Sequence, residues 1–226
     1  MDWKNHIYGN DDDIRLLRKL SQQIGILKRI RNYVTPKRFM TLLQGLFYSK
    51  LYYGITVWGS VSGIPGQPKG FRTGFPKTDL RRIQSLQNKA LRLLHWRDMT
   101  TPTRDLLKET NQLSVNQTIA YHILIQTHTI RTTEQPNFHY LRLFSTDEET
   151  PKTRSGNMKR VEFRLNIGRS SFFYQANRLW LALPKKIREI TSLGSFKKEI
   201  KIWTSENIPP KPYRCFQHKF YNFFCL

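Results

Sequence analysis

Apolar residues recur three or four positions apart along the first part of the chain, a period that predicts amphipathic helices. The first such run follows an acidic triplet at 11–13 and ends in a basic cluster at 28–31. Acidic side chains favour the start of a helix and basic side chains its end, because each complements the helix dipole. This run and the later ones predict helices at 13–33, 36–58, 79–96, 102–110 and 115–132.

Two stretches interrupt this helical pattern. The stretch at 61–78 contains four glycines and three prolines, so it is predicted to be a surface loop. The pattern ends again at Glu134, where prolines and an acidic run predict a linker at 135–152. We therefore predict one helical domain at 1–134 and a basic C-terminal module at 153–226.

The distal module has weaker patterns than the first domain. Its β-prone residues at 169–174 predict a strand, whereas 176–181 and 195–203 are typical of helices. We expect a poorly ordered tail after about residue 207. The predicted fold class is mainly α, a helical bundle followed by a smaller and irregular basic module.

Composition fits a packed intracellular protein. The chain is 38% hydrophobic and 13% aromatic, enough for a core, and no stretch approaches the roughly 18 apolar residues of a membrane span. The N-terminus, Met1 to Lys4, is polar and does not lead into an apolar segment, which argues against a secretory leader. The two cysteines, Cys215 and Cys225, lie in the last dozen residues and cannot form a disulfide scaffold. We predict a nuclear or cytoplasmic location.

Charge is the strongest functional indication in the composition. The 38 Lys and Arg residues outnumber 16 Asp and Glu residues, giving a net charge of +22 and a pI of about 10.3. Residues 151–226 hold 16 basic and 4 acidic side chains, a net charge of +12. So much positive charge predicts an acidic partner, most commonly nucleic acid. An acidic membrane surface is the rival partner, and we predict no membrane association.

The motifs of common enzymes are absent from the sequence. Neither the phosphate-binding loop nor the dinucleotide fingerprint occurs. The acidic triplet at 11–13 could resemble a metal-binding carboxylate pair of a polymerase, but a cationic amphipathic helix follows it, so we interpret it as a helix start. Cys215, His218 and Cys225 could supply three zinc ligands, whereas a closed structural site needs four.

The remaining histidines are interpreted as structural or solvated. His122 and His128 lie six positions apart and so on different faces of their predicted helix, while His95 ends another helix. We therefore predict no catalytic residue, no metal site, no cofactor and no small-molecule substrate.

Four sequence blocks carry more specific information than composition does. The blocks are WKNHI at 3–7 with KLS at 19–21 and IGIL at 24–27; YYG at 52–54 with VWG at 57–59; LQNKALR at 86–92; and TR at 153–154, GRSSF at 168–172, LW at 179–180, LPKKIR at 183–188, SL at 192–193 and SFKK at 195–198. The order and spacing of these blocks resemble the end of the reverse transcriptase of LINE-like (non-LTR, jockey-type) retrotransposons.

The match has departures. Leu181-Ala182 stands where the family usually has Asn-Ser, Ala176 replaces a common Gly, and the loop at 61–78 is enlarged. These departures indicate a truncated or decayed copy.

The resemblance implies a role without catalysis. It places the fingers and the palm, with the polymerising carboxylates, upstream of Met1, so this chain would be the thumb and the post-thumb region of an RNA-directed DNA polymerase. We therefore expect no polymerase or nuclease activity. In related enzymes the thumb is helical and grips the template–primer duplex, which requires Lys and Arg facing backbone phosphates.

The predicted partner is an RNA or DNA duplex, bound mainly through its backbone. On the helix at 79–96 the basic residues form one stripe opposite the apolar face. The residues predicted to bind nucleic acid are Lys28, Arg29, Arg31, Lys37, Arg38, Arg81, Arg82, Lys89, Arg92, Arg154, Arg169, Lys185, Lys186, Arg188, Lys197 and Lys198.

Two alternatives stay open at this point. Each single cation could simply be solvated, although a solvated surface ordinarily mixes both signs. The five tryptophans could stack on bases, but a Trp beside helical Leu is more often in the core. The whole chain could instead be a transposon-derived protein–protein interaction module that associates through an exposed apolar face.

Overall fold

The computed structural model describes residues 10–61, 63–65, 77–98, 100–135, 139, 143–144, 163, 166–169 and 171–210. This part of the chain is mainly helical, which confirms the predicted fold class. A 3₁₀ turn at Arg31–Tyr33 follows the first helix, and a π-helical turn at Gln44–Tyr48 follows the second. The helices are α1 (Asn10–Ile30), α2 (Pro36–Leu43), α3 (Ser49–Tyr52), α4 (Ile55–Trp58), α5 (Lys77–His95), α6 (Thr103–Glu109), α7 (Val115–Thr133), α8 (Asn166–Arg169), α9 (Phe172–Ala182), α10 (Lys185–Arg188) and α11 (Leu193–Asn207).

The helices predicted in the first 133 residues are confirmed, with one subdivided. The predicted helix at 36–58 is divided by the π-helical turn and by a break at Gly54, whose φ of +61° favours glycine. The acidic triplet at 11–13 lies in the first turn of α1, as the helix-start interpretation requires. Most of the predicted loop and linker, and the tail after residue 210, lie outside the described residues.

The strand predicted at 169–174 is wrong, because α8 ends at Arg169 and α9 begins at Phe172. The residues that indicated a strand are the aromatic first turn of α9, and Tyr174 is buried there. Packing of α9 against α7 decides the conformation over the β propensity of its first residues. Within the described residues 172–207, the helices α9, α10 and α11 occupy most positions.

Helix α7 lies at the centre of the core. The helices α4, α5, α9 and α11 all pack against it. Buried side chains from Leu20 through Ile208 form one hydrophobic cluster. The domain boundary at 135–152 stays a prediction, and helices from both sides of it contribute to this cluster. The burial of α7 on several sides explains why its apolar period is less one-sided than that of α5.

Helices α1 and α5 pack side by side and run in the same direction. Leu17 and Ser21 of α1 lie opposite Arg82 and Leu86 of α5, and the 3₁₀ turn after α1 reaches Trp96 just past the end of α5. Both helix ends carry basic residues, which the two parallel dipoles favour.

Buried glutamines of α5 form hydrogen bonds to the start of α7 and to the segment just before it. Gln84 Oε1 accepts a hydrogen bond of 2.8 Å from the Val115 backbone N–H. Gln87 Nε2 donates to the Leu113 carbonyl at 2.8 Å and to the Tyr48 hydroxyl at 3.2 Å. The two glutamines also bind each other at 2.8 Å. These bonds satisfy polar groups that burial would otherwise leave unpaired.

A second polar link joins α7 to the end of α11. Ser114 and Gln117 form a capping box at the start of α7, in which Gln117 Oε1 accepts from the Ser114 N–H at 3.0 Å. The Nε2 group of Gln117 then donates to the Ile208 carbonyl at 2.9 Å. Asn116 adds a hydrogen bond to the Pro209 carbonyl at 2.9 Å.

A third link holds α9 against the segment that follows α4. Gln175 Oε1 accepts from the Val61 N–H at 2.7 Å, and its Nε2 donates to the Gly59 carbonyl at 3.3 Å. Gly59 is tightly enclosed here. A Cβ atom would lie 2.2 Å from the Ile55 carbonyl oxygen and 2.8 Å from Ile119 Cγ2. Only glycine fits this contact between α4 and α7.

Candidate nucleic-acid interface

The basic residues of the first half are concentrated with almost no acidic counterpart. Between residues 15 and 97 the sequence has 17 Lys and Arg residues and one acidic residue, Asp79. By contrast, Arg131 is the only Lys, Arg, Asp or Glu of α7. Charge is therefore absent from most of the central helix and concentrated on the helices around it.

A groove of about 450 Å³ lies between α1 and α5. Three cations, two hydroxyls and two leucines line it, and no acidic side chain does. Cationic groups and hydroxyls are the side chains that most often contact backbone phosphates. The lining residues are Leu17, Arg18, Ser21, Arg82, Ser85, Leu86 and Lys89.

Asp79 lies beside the groove and neutralises only part of its charge. Its carboxylate is 3.3 Å from Arg82 Nη1, and the Arg82 side chain remains 68% exposed. The Arg82 end of this pair is screened by water, whereas the Asp79 side chain is only 15% exposed, so Arg82 can turn towards a phosphate at a small cost.

Eleven of the predicted binding residues have exposed side chains. Of these, Arg82 and Lys89 line the groove. Arg81 is exposed one position away on α5. The others are spread over α1, α2, α10 and α11. The exposed residues are Lys28, Arg29, Lys37, Arg38, Arg81, Arg82, Lys89, Lys185, Lys186, Lys197 and Lys198.

The described arginines among the remaining predicted residues are half-buried and make contacts within the protein. Arg92 Nη2 donates to the Thr101 carbonyl at 2.9 Å, and Arg169 Nε donates to the Phe163 carbonyl at 2.9 Å. The Arg31 guanidinium lies over the Trp96 ring.

Arg188 accepts a hydrogen bond at its carbonyl from the Arg131 guanidinium. Lys185, although exposed, lies 3.7 Å from Glu189. Arg154 lies outside the described residues. The assignment of the whole set to nucleic acid stays a prediction.

Arg18 is the groove residue that the sequence did not single out. It lies on an exposed face of α1 and meets Arg82 and Lys89 only because α1 and α5 run parallel. The charge pattern of α1 could have indicated it, since Arg15, Arg18 and Lys19 follow one another closely. Their partner on α5 depends on a packing that no local pattern encodes.

No protein-family model, curated protein or solved structure matches this chain. The similarity to LINE-like reverse transcriptases therefore stays a prediction based on the sequence blocks. Within the described residues, no group of three or more His, Cys, Asp and Glu side chains could hold a metal ion. Among the described helices, none is both long and apolar enough to cross a membrane.

Packing between helices shifts the pKa values of several titratable groups. Burial, with Lys197 nearby, lowers the pKa of His122. Burial also lowers the pKa of His128, whose Nε2 lies 2.8 Å from the Ile190 carbonyl and whose ring stacks on Phe196. Burial raises the pKa of Tyr52 to about 12. These shifts follow from packing.

Proposed function

We propose that this chain binds a nucleic-acid duplex through its backbone phosphates, as the non-catalytic thumb and post-thumb part of a LINE-like reverse transcriptase. The observation that carries the proposal is the groove between α1 and α5, where Arg18, Arg82 and Lys89 converge without an acidic lining residue. Phosphates that replace water and small anions there release condensed counterions from the nucleic acid, which drives binding.

The block LQNKALR at 86–92 supports this proposal by combining two roles on one helix. Gln87 and Asn88 face inwards and hold the fold, since Asn88 Nδ2 donates to Thr103 Oγ1 at 2.8 Å. Lys89 faces the groove. A block that grips a duplex needs both a fixed helix and a cation at a fixed position on that helix.

The test removes the groove charges and measures binding against salt. In the variant Arg18→Gln, Arg82→Gln and Lys89→Gln, the side chains keep polar groups and much of their length. Each lost phosphate contact lowers the slope of log K against log salt by about 0.7 to 0.9, so the triple change should flatten it by about 2 to 3. Fluorescence anisotropy of a labelled duplex over a salt series measures the slope, and unrelated sequences should weaken alike.

The matched control removes three cations outside the groove. Lys50→Gln, Arg104→Gln and Lys108→Gln change exposed residues of α3 and α6 and remove the same total charge. This control should change the slope by less than one unit, since it removes diffuse attraction only. An equal loss in both variants would show that net charge, and not the groove, binds the duplex.

If the duplex affinity of the original chain did not change with salt, the alternative of a protein–protein interaction module would be favoured. Tyr53 and Val57 supply the observation behind that alternative, because both side chains are 85% exposed beside the Gly54 turn. Exposed apolar groups in one place are typical of protein interfaces. In that case Tyr53→Ser with Val57→Ser should abolish association with a protein partner, while the groove variant leaves it intact.

A further inference from the structure

Trp96 occupies a backbone conformation that a tryptophan rarely adopts. Its φ is +53°, in the left-handed region, and the Arg97 N–H donates to the Arg92 carbonyl at 3.2 Å. This is the Schellman ending of a helix, which normally places Gly or Asn at the left-handed position. Helix α6 ends in the usual way, with Asn111 at φ +50°. A bulky residue at this position is unfavourable, and such unfavourable conformations concentrate at functional sites.

The side chain of Trp96 is exposed to solvent. It is 64% exposed, the largest aromatic surface at the end of α5. The guanidinium carbon of Arg31 lies 3.4 Å from the ring centroid and covers one face by a cation–π contact. With that face covered and the residue still mostly exposed, the opposite face of the indole is open to solvent.

Trp96 directly follows the end of α5, the helix that carries Arg82 and Lys89 of the groove. Arg82 and Lys89 are seven positions apart, a spacing that keeps them near one side of α5. His95, the last residue of α5, lies about 9 Å beyond Lys89 along the helix axis, at 1.5 Å per residue, and Trp96 comes next. The exposed cations Lys28 and Arg29 end α1 beside it. Glu109 pairs with Arg97 at 2.5 Å, and Asp98 is exposed two positions after Trp96.

We infer that Trp96, with Arg31 covering its inner face, is a stacking site for an unpaired nucleobase at the end of the duplex in the groove. This inference rests on the proposed function. An aromatic face stacks on any base, because every base offers a π surface, and adjacent cations hold the strand by its phosphates. The site would therefore recognise a single-stranded extension without reading its sequence.

A purely structural role for Trp96 makes a different forecast. If the indole served only to cover Arg31, its removal would cost stability and change the binding of all nucleic acids alike. If it stacks on a base, its removal relieves the left-handed backbone and weakens only ligands with an unpaired base.

The experiment compares a short blunt duplex with the same duplex carrying a single-stranded overhang, at fixed salt. The original chain should bind the overhang form about fivefold or more tightly, the usual scale of one stacked base. Trp96→Gly and Trp96→Asn, which both suit the left-handed position, should reduce that preference to nearly one while leaving the blunt duplex unaffected. Trp96→Phe should retain most of the preference, since it keeps an aromatic face.

The control is Asn111→Gly, at the equivalent position after α6, which should change neither affinity. Circular dichroism of each variant checks that the helices persist. The inference is overturned if the original chain has no preference for the overhang, or if the preference survives in Trp96→Gly and Trp96→Asn. Failure of the blunt duplex to bind, or binding of the blunt duplex that does not change over a salt series, would overturn the proposed function and with it this inference. Loss of the overhang preference alone would overturn only the inference.

Discussion

The central helix α7 and the outer pair α1 and α5 handle polar groups in opposite ways. Along α7 the polar side chains Asn116, Gln117, Thr127 and His128 are buried, and most are hydrogen-bonded to backbone atoms elsewhere in the chain. From Arg15 onwards the charged side chains of α1 are all cationic and exposed, and so are Arg81, Arg82 and Lys89 on α5. The interior therefore uses neutral amides to fix the helices, and the charges stay where a ligand can reach them.

This difference teaches that folding and binding depend on separate residues, even on one helix. Gln87 and Lys89 are two positions apart on α5, yet one is fully buried and the other lines the groove. Burying a charge is far more costly than burying an amide that finds its hydrogen bonds. Changes to buried amides should therefore alter stability alone, and changes to groove cations should alter binding alone.

The largest effect on the interior is expected from Gly59→Ala. The added methyl group would collide with the Ile55 carbonyl and with Ile119 on α7, neither of which can move without disturbing the core. We expect a loss of about 3 kcal/mol or more in the free energy of unfolding, at the upper end for overpacking. Urea denaturation followed by circular dichroism measures it.

The matched control is Gly194→Ala in α11, where a Cβ atom would meet only Ser192 Oγ at 3.9 Å. It should be neutral or slightly stabilising. If Gly59→Ala were equally harmless, the close contact of α4 with α7 would not hold, and the central role of α7 would lose its main geometric support.

A smaller loss in the free energy of unfolding is expected from Gln87→Met. This change keeps the length of the side chain and removes its amide. The Leu113 carbonyl and the Tyr48 hydroxyl would each lose a hydrogen bond inside the core. Leaving such a group unsatisfied costs about 1–3 kcal/mol, so we expect a loss of about 2 kcal/mol.

The control for that change is Gln22→Met on the exposed side of α1, which should leave stability within about 0.5 kcal/mol. If folding and binding depend on separate residues, Gln87→Met should leave the salt dependence of duplex binding unchanged under conditions where the protein is folded. A changed slope would mean that the interior of α5 also sets the groove.

The sequence predicts the helices better than it predicts their contacts. The apolar period and the caps locate α1, α5, α6 and α7 to within about three residues, because these signals are local. The one wrong element, the strand at 169–174, came from a β propensity that the packing of α9 overrides. Fold class could therefore be predicted from the chain alone.

The site could be predicted only in part. Arg82 and Lys89 follow from the stripe on α5, but Arg18 enters through the parallel packing of α1, and Arg92 turns to the Thr101 carbonyl. A cation's partner is often a backbone oxygen distant in sequence, which no residue type reveals. The left-handed Trp96 was equally hidden, because tryptophan is not a residue expected there.

The smallest effect, and the one that probes the outer pair most directly, is expected from Gly25→Ala. Gly25 lies in the exposed middle of α1, seven positions after Arg18, and a Cβ atom would meet nothing within 4 Å. Alanine lowers the entropy lost on helix formation, so the free energy of unfolding should rise by about 0.5–1 kcal/mol. Urea denaturation measures the gain, and Gly59→Ala should lower the free energy of unfolding in the same assay.

Because the phosphates are expected to contact side chains that reach beyond the helix backbone, Gly25→Ala should not change duplex affinity. Lower affinity with higher stability would instead indicate that a bound strand approaches the backbone of α1 at Gly25, and would extend the groove along the helix towards Lys28.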